Sequence, residues 1–169
     1  MRIIQLGLGR EALVDDNDYE QLSSHTWRAT SNERGLIWYA IRQVYRKGRS
    51  PKKIRMHRAI MRARAWQQID HVNGDGLDNR RSNLRVATAS QNVQNRRKQR
   101  ALTSRFKGVA RMDHRYVSKP WKATIGLNSK QRHLGYFESE EEAAIAYNQA
   151  AKEMFGPFAK PNELTESRG

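Results

Sequence analysis

The stretch QQIDHVNGDGLDNRRSNLRVATASQN, from Gln67 to Asn92, leaves the chain little choice of local fold. QQID reads as a strand ending at His71. Asn73-Gly74-Asp75-Gly76 is a turn sequence of the hairpin kind. NLRVAT (83–88) reads as the returning strand, and Thr88 opens a helix with Gln91, three residues on, as its capping partner. The order is strand, loop, strand, helix: a ββα unit. Such a unit can bring Asp70 and Asn92 together across its open end. His71 then sits beside them but faces the other way, because adjacent strand residues point to opposite sides.

The rest of the chain supplies charge. Its 169 residues carry 32 Lys and Arg against 17 Asp and Glu, a net charge of +15. Solubility needs only about 2–8 net charges in a small domain. So large an excess attracts polyanions, and nucleic acid is the expected partner. A membrane surface would call for a long apolar run or a basic amphipathic helix with bulky apolar residues opposite, and neither is present. Cysteine is absent, which rules out disulfides and thiolate zinc sites. The N-terminus, MRIIQLGLGREALVDD, lacks a signal-peptide core, and a cytoplasmic location is expected.

Residues 1–52 read as a β-rich segment with one short helix. RIIQLGL and LIWYAIRQVY are strand-like, and VDDNDYEQLSSHTW reads as a helix started by Asp15 or Asp16. Asp15, Asp16 and Asp18 are expected to cap that helix rather than form a carboxylate cluster. Gly7-Leu8-Gly9 is no dinucleotide fingerprint, since the third glycine and the following helix are missing. IRMHRAIMRARA (54–65) has helical character. In 105–163, FKGVARM, WKATIGL and QRHLGYF read as three strands, followed by the helix SEEEAAIAYNQAAKEMFG. Ser139 and Glu142 form its capping box, Gly156-Pro157 its stop, and Ala143, Tyr147, Ala150 and Met154 its apolar stripe. The fold class is α+β: a β-rich N-terminal part and a ββα unit, then a three-stranded antiparallel sheet packed on one helix. Composition shifts in a basic polar stretch, placing the boundary at a linker over 100–104.

Hydrolysis of a phosphodiester needs a base for the attacking water and a counter-charge for the phosphate. A histidine such as His71 suits the first at neutral pH. A hard divalent ion on oxygen ligands suits the second, and magnesium needs only one or two protein ligands. A calcium loop is the competing reading of DHVNGDGLDN, but the ligand register is missing and Arg81 stands where the bidentate glutamate would be.

DH followed by NL and then SQN, over roughly 54–97 from MHRAIM onward, resembles the HNH endonucleases, specifically the cysteine-free kind of phages and self-splicing introns, homing endonucleases included. The resemblance implies His71 as general base, Asp70 and Asn92 as ligands of magnesium or manganese, and Asn83 as the asparagine that ties the loop and helps hold the histidine. His57, in MHR, is expected to be structural support. His25, His114 and His133 are not expected in catalysis. One such unit per chain implies a monomer that nicks one strand.

The segment 105–162 resembles the Apetala-type (ethylene-response-factor) DNA-binding domain of plants in FKGV, WKATI, HLGYF, SEEEAAIAYNQAA and FG-PFAKPN. It implies a sheet lying in the major groove of double-stranded DNA. If Ala123, Ile125 and Leu134 face the helix, alternation exposes Lys122, Thr124, Gln131 and His133 on the opposite face, with Lys107 and Arg111 as candidates for the same face. Ala110 and Met112 stand where the plant domains commonly carry arginines, so their recognition sequence does not carry over. Arg96, Arg97 and Lys98 are expected to track phosphates between the modules. The domains are then 1–52, the nuclease core 53–99, the linker 100–104 and the DNA reader 105–165, with no zinc and no required protein partner. The competing classes are a DNA-binding regulator with a spent nuclease half, and an RNA-binding protein.

Overall fold

The computed structural model describes residues 1–32, 37–95, 103–112, 118–128 and 130–164. The chain packs as two units, Met1–Thr88 and Ala89–Gly169. No helix among the described residues is long and apolar enough to cross a membrane.

In the first unit, β1 (Arg2–Gln5) pairs antiparallel with β2 (Glu11–Val14). The turn between them runs through Gly7, Leu8 and Gly9, all at positive φ. α1 (Asp16–Ser23) follows, then a sheet of order β3-β4-β5 made of Arg28–Ser31, Trp38–Arg46 and Arg49–Arg55. β5 runs straight into α2 (Met56–Ile60), which is shorter than the helical character of 54–65 suggests. Ile54 is held in the ladder opposite Arg42, and Arg62 takes φ +46 just past the helix. β6 (Gln68–His71) pairs antiparallel with β7 (Leu84–Ala87), His71 opposite Leu84 and Asp70 opposite Arg85. Asn83 is not in the strand but ends a 3₁₀ turn, Arg81–Asn83. One apolar cluster joins these pieces, including Val14, Leu22, Trp27, Ala40, Met56 and Ile69. Trp27 is satisfied by donating Nε1–H to the Leu22 carbonyl at 2.8 Å.

In the second unit, α3 (Ala89–Gln94) precedes an antiparallel sheet of order β10-β9-β8: Lys130–Phe137, Trp121–Leu127 and Val109–Arg111. α4 (Glu140–Phe155) lies on it, burying Ala143, Ala144, Tyr147, Ala150 and Ala151. Small residues let helix and sheet approach closely. Gly108 shows how closely: at φ +76, any Cβ there would overlap the Tyr147 ring. The Ser139 hydroxyl accepts from the Glu142 N–H at 3.1 Å, and the Glu142 carboxylate accepts from the Glu138 N–H at 3.2 Å. Gly156, at φ 52, ends the helix before Pro157. Several small antiparallel sheets with few helices make the fold mixed, in keeping with an α+β class.

Candidate active site

The loop joining β6 to β7 is closed by Asn83. Its Oδ1 accepts from the Asn73 N–H at 3.0 Å, and its Nδ2 donates to Asn73 Oδ1 at 3.0 Å and the Asp78 carbonyl at 2.8 Å. Asp78 accepts from Arg80 Nε at 2.8 Å, Arg80 Nη2 at 2.7 Å and Asn73 Nδ2 at 2.9 Å. The Arg80 guanidinium holds the Asp78 carboxyl below its ordinary pKa. The loop also joins the edge of β2: Leu13 N–H donates to the Leu77 carbonyl at 3.0 Å, and Asn79 N–H to the Leu13 carbonyl at 2.8 Å. Gly76 lies against β4 so tightly that a Cβ would overlap the Trp38 carbonyl and come within 2.6 Å of the Tyr39 ring.

That closure fixes the surroundings of His71, which is 6 % exposed. The His57 ring meets it edge to face, 4.8 Å between centroids at 88°. Tyr39 touches both, at 5.8 Å from His57 and 6.1 Å from His71. His71 Nε2 lies 3.5 Å from Oδ1 of Asn79, a fully buried side chain. Asn79 cannot turn over without loss, because its Nδ2 donates to the Leu77 carbonyl at 3.0 Å. The arrangement therefore suits the tautomer with its proton on Nε2 and the basic lone pair on Nδ1.

Burial lowers the pKa of His71, opposed by the Asn79 hydrogen bond and the charges of Asp70, Asp75 and Asp78. His57 is lowered to about 3 by burial first, then by His71, Arg55 and Arg58. Its Nδ1 is buried without a hydrogen-bond partner. Both imidazoles are therefore neutral at physiological pH, the state a general base requires.

Asp70 is 6 % exposed. Its Oδ2 accepts from Arg85 Nε at 3.0 Å and Nη2 at 2.8 Å. The partner was legible in principle: once the hairpin register is set, Arg85 falls directly opposite, where opposite charges attract across the ladder. Among the described residues, no group of three or more His, Asp or Glu side chains gathers to hold a metal ion. Asn92 stands on α3, half-buried. Arg96, Arg97, Lys98 and His114 lie outside the described residues.

The acidic start of α1 does something other than capping. Asp15 occupies the N-cap position without a side-chain cap bond. Its Oδ2 accepts from the Arg81 N–H at 2.7 Å instead, while Asp18, buried, takes Arg81 Nε at 2.8 Å and Nη2 at 2.7 Å. Asp16 pairs with the N-terminal ammonium at 2.7 Å. The capping expectation is corrected: Asp15 and Asp18 anchor the far end of the His71 loop. Residues more than sixty positions apart give no local signal for such a pair.

In the second unit, Ala123 and Ile125 face the core, and Lys122, Thr124, Gln131 and His133 fall on the other face through the pairs Thr124–His133 and Gly126–Gln131. The His133 and Tyr136 rings meet there at 4.7 Å. The expectation that Arg111 shares this face is not met. Arg111 is opposite Trp121 in the register, so Ala110 takes the place beside Lys122. The Lys107 ammonium donates to the Gln94 carbonyl at 2.7 Å, and burial lowers its pKa.

Comparison with known proteins bears on the first of these regions. Residues 45–94, which include His57, Asp70, His71, Asn83 and Asn92, match the family model described as HNH endonuclease. The uncharacterized HNH endonuclease L560 of Acanthamoeba polyphaga mimivirus is 31% identical over 133 residues, 75% of this chain and 67% of its own length. Protein 3.8 of Escherichia phage T7 is 29% identical over 92 residues, 54% of this chain and 73% of its own. No solved structure matches the chain. With the family model falling on the His71 hairpin and a named relative similar along most of the chain, this chain belongs to the HNH endonucleases.

Proposed function

We propose that the chain is a DNA endonuclease in which His71 takes the proton of the water that attacks phosphorus. One observation carries this reading: His71 is buried, kept neutral, and oriented through Asn79 by a loop that Asn83 ties shut. Asp70 and Asn92 are the metal ligands the family resemblance implies. A carboxylate and an amide oxygen, with no cysteine in the chain, suit a hard divalent cation, magnesium or manganese, rather than zinc. When bound, such a cation neutralises charge developing on the phosphate and the leaving oxygen. Arg85, holding Oδ2 of Asp70, fixes that carboxylate's direction.

The C-terminal segment, 105–165, acts in this reading as an Apetala-type reader. Its sheet face of Lys122, Thr124, Gln131 and His133 lies in the major groove, and Arg96, Arg97 and Lys98 in the preceding stretch follow phosphates. Residues 53–99 form the cutter, linked through 100–104. One site per chain makes the product a nick and the working form a monomer, as in a homing-type enzyme.

A second reading, a DNA-binding regulator whose nuclease half is spent, draws on the Asp70–Arg85 pair: a carboxylate already neutralised binds a cation more weakly. Conversion of supercoiled plasmid in magnesium or manganese, beside EDTA and His71→Ala, separates the two. Metal-dependent nicking that His71→Ala abolishes establishes the nuclease. Tight binding without cutting in either metal establishes the regulator.

A further inference from the structure

The thirty-three residues from Ile37 to Ile69 contain ten Lys and Arg and no Asp or Glu. Asp70, beside the candidate base, is the first acidic residue after them. Much of this charge is displayed on the ribbon formed by β4 and β5. Arg46, Lys47, Arg49, Lys52, Lys53 and Arg55 are all exposed, and among the described residues none of them forms an ion pair. Arg46 stands directly opposite Arg49. Like charges placed opposite in a ladder repel, so the arrangement costs stability unless an anion lies over it.

The ribbon has two different faces. Ala40, Arg42 and Ile54 share one, with Ala40 in the core and Arg42 over the Trp27 ring. Tyr39, Ile41 and Gln43 share the other with Arg55 and Lys53, which stand opposite Ile41 and Gln43. This second face begins at the candidate active site, since Tyr39 touches both His57 and His71 and carries the Arg55 guanidinium over its ring at 5.4 Å. From Tyr39 to Arg46 the strand spans roughly 24 Å at about 3.4 Å per residue. Charges at alternate positions such as Arg55 and Lys53 are about 7 Å apart, a step similar to that between neighbouring phosphates along a strand. Tyr45, 73 % exposed, lies near the outer end.

We infer that the β4–β5 ribbon is a phosphate-binding track for double-stranded DNA, leading a strand from the ribbon tip to His71. Its role in feeding the cut rests on the endonuclease reading. Its role in binding does not. The ribbon's outer strand is also a sheet edge carrying Pro51 and lysines, which is how edges are protected from pairing with other chains. That protective role alone predicts a different outcome, so the two can be told apart.

The test uses the full chain in a His71→Ala background, without metal, and follows duplex-DNA affinity across a salt series by fluorescence anisotropy. The double variant Lys53→Gln with Arg55→Gln, the two charges opposite Gln43 and Ile41, should weaken binding and flatten the log K against log[salt] slope by about 1.8, at about 0.9 for each phosphate no longer neutralised. Arg2→Gln with Lys152→Gln, equally charged and carried by β1 and α4 rather than by this sheet, should leave the slope unchanged. Arg55→Lys with Lys53→Arg should keep it, and thermal unfolding should remain cooperative in every variant. Equal flattening by the ribbon and control pairs overturns the track in favour of diffuse charge. An unchanged slope with new self-association in sedimentation overturns it in favour of edge protection. If the slope flattens as expected while the wild-type chain cuts nothing with magnesium or manganese, the track stands and the nuclease reading falls.

Discussion

His57 and His71 meet edge to face with 4.8 Å between ring centroids, both buried in the first unit. Charging both would set two buried cations against each other. Folding keeps His57 neutral down to about pH 3, whereas in the unfolded chain it takes its proton near 6.5. Between those values the unfolded state binds more protons, so stability rises with pH. The contribution is full above 6.5 and is lost as pH falls toward 3. Urea unfolding at stepped pH should show stability declining on the order of 1 kcal/mol per pH unit in that window from this group. His57→Leu should show a shallower decline, and an identical slope in the variant would contradict the assignment.

Asn79 should act on the reaction only through His71. Its Oδ1 faces Nε2 because its Nδ2 is spoken for by the Leu77 carbonyl. Asn79→Leu should lower the nicking rate while leaving DNA affinity intact, and Asn79→Asp, which keeps an acceptor, should retain more of it. The imidazole ¹⁵N shifts of His71 should report the Nε2–H tautomer in the parent and a mixture in Asn79→Leu. Unchanged shifts would remove the positioning role.

Asn83→Ala deletes three hydrogen bonds that close the loop. Leaving buried partners unsatisfied costs about 1–3 kcal/mol for each such group. Equilibrium unfolding should register a loss in that range or above. Amide exchange should quicken at Asn73, whose N–H is the donor to Asn83 Oδ1.

Gly76→Ala tests the close approach of the loop to β4. The added methyl meets backbone at Trp38 and ring atoms at Tyr39, and backbone cannot swing aside. A loss of about 1–3 kcal/mol is expected from overpacking. Because Tyr39 also touches His71, nicking should fall more than global stability alone explains. A variant as stable and active as the parent would show that the loop can lift away.

Residues a few positions apart already determine a good deal of this chain. The turn sequence Asn73-Gly74-Asp75-Gly76 marks the reversal between β6 and β7, although the whole loop from Val72 to Asn83 joins them rather than a tight turn, and Ser139 with Glu142, ended by Gly156-Pro157, delimits α4 to within a residue. Turn chemistry, capping and alternation act within one turn or one strand, so they can be read along the chain. Asp70, His71 and Asn83 were singled out differently, through the resemblance of DH followed by NL to the HNH endonucleases. The tertiary structure alone decided what stands around His71. His57 and Tyr39 arrive from α2 and β4, and Asn79 is turned inward by a bond to β2. Asp18 was drawn off its expected capping duty by Arg81, sixty-three residues away. These arrangements depend on which strands pair, in which register, and on where a loop closes against a sheet. No periodicity records such choices, because the free energy that makes them belongs to the packed core as a whole.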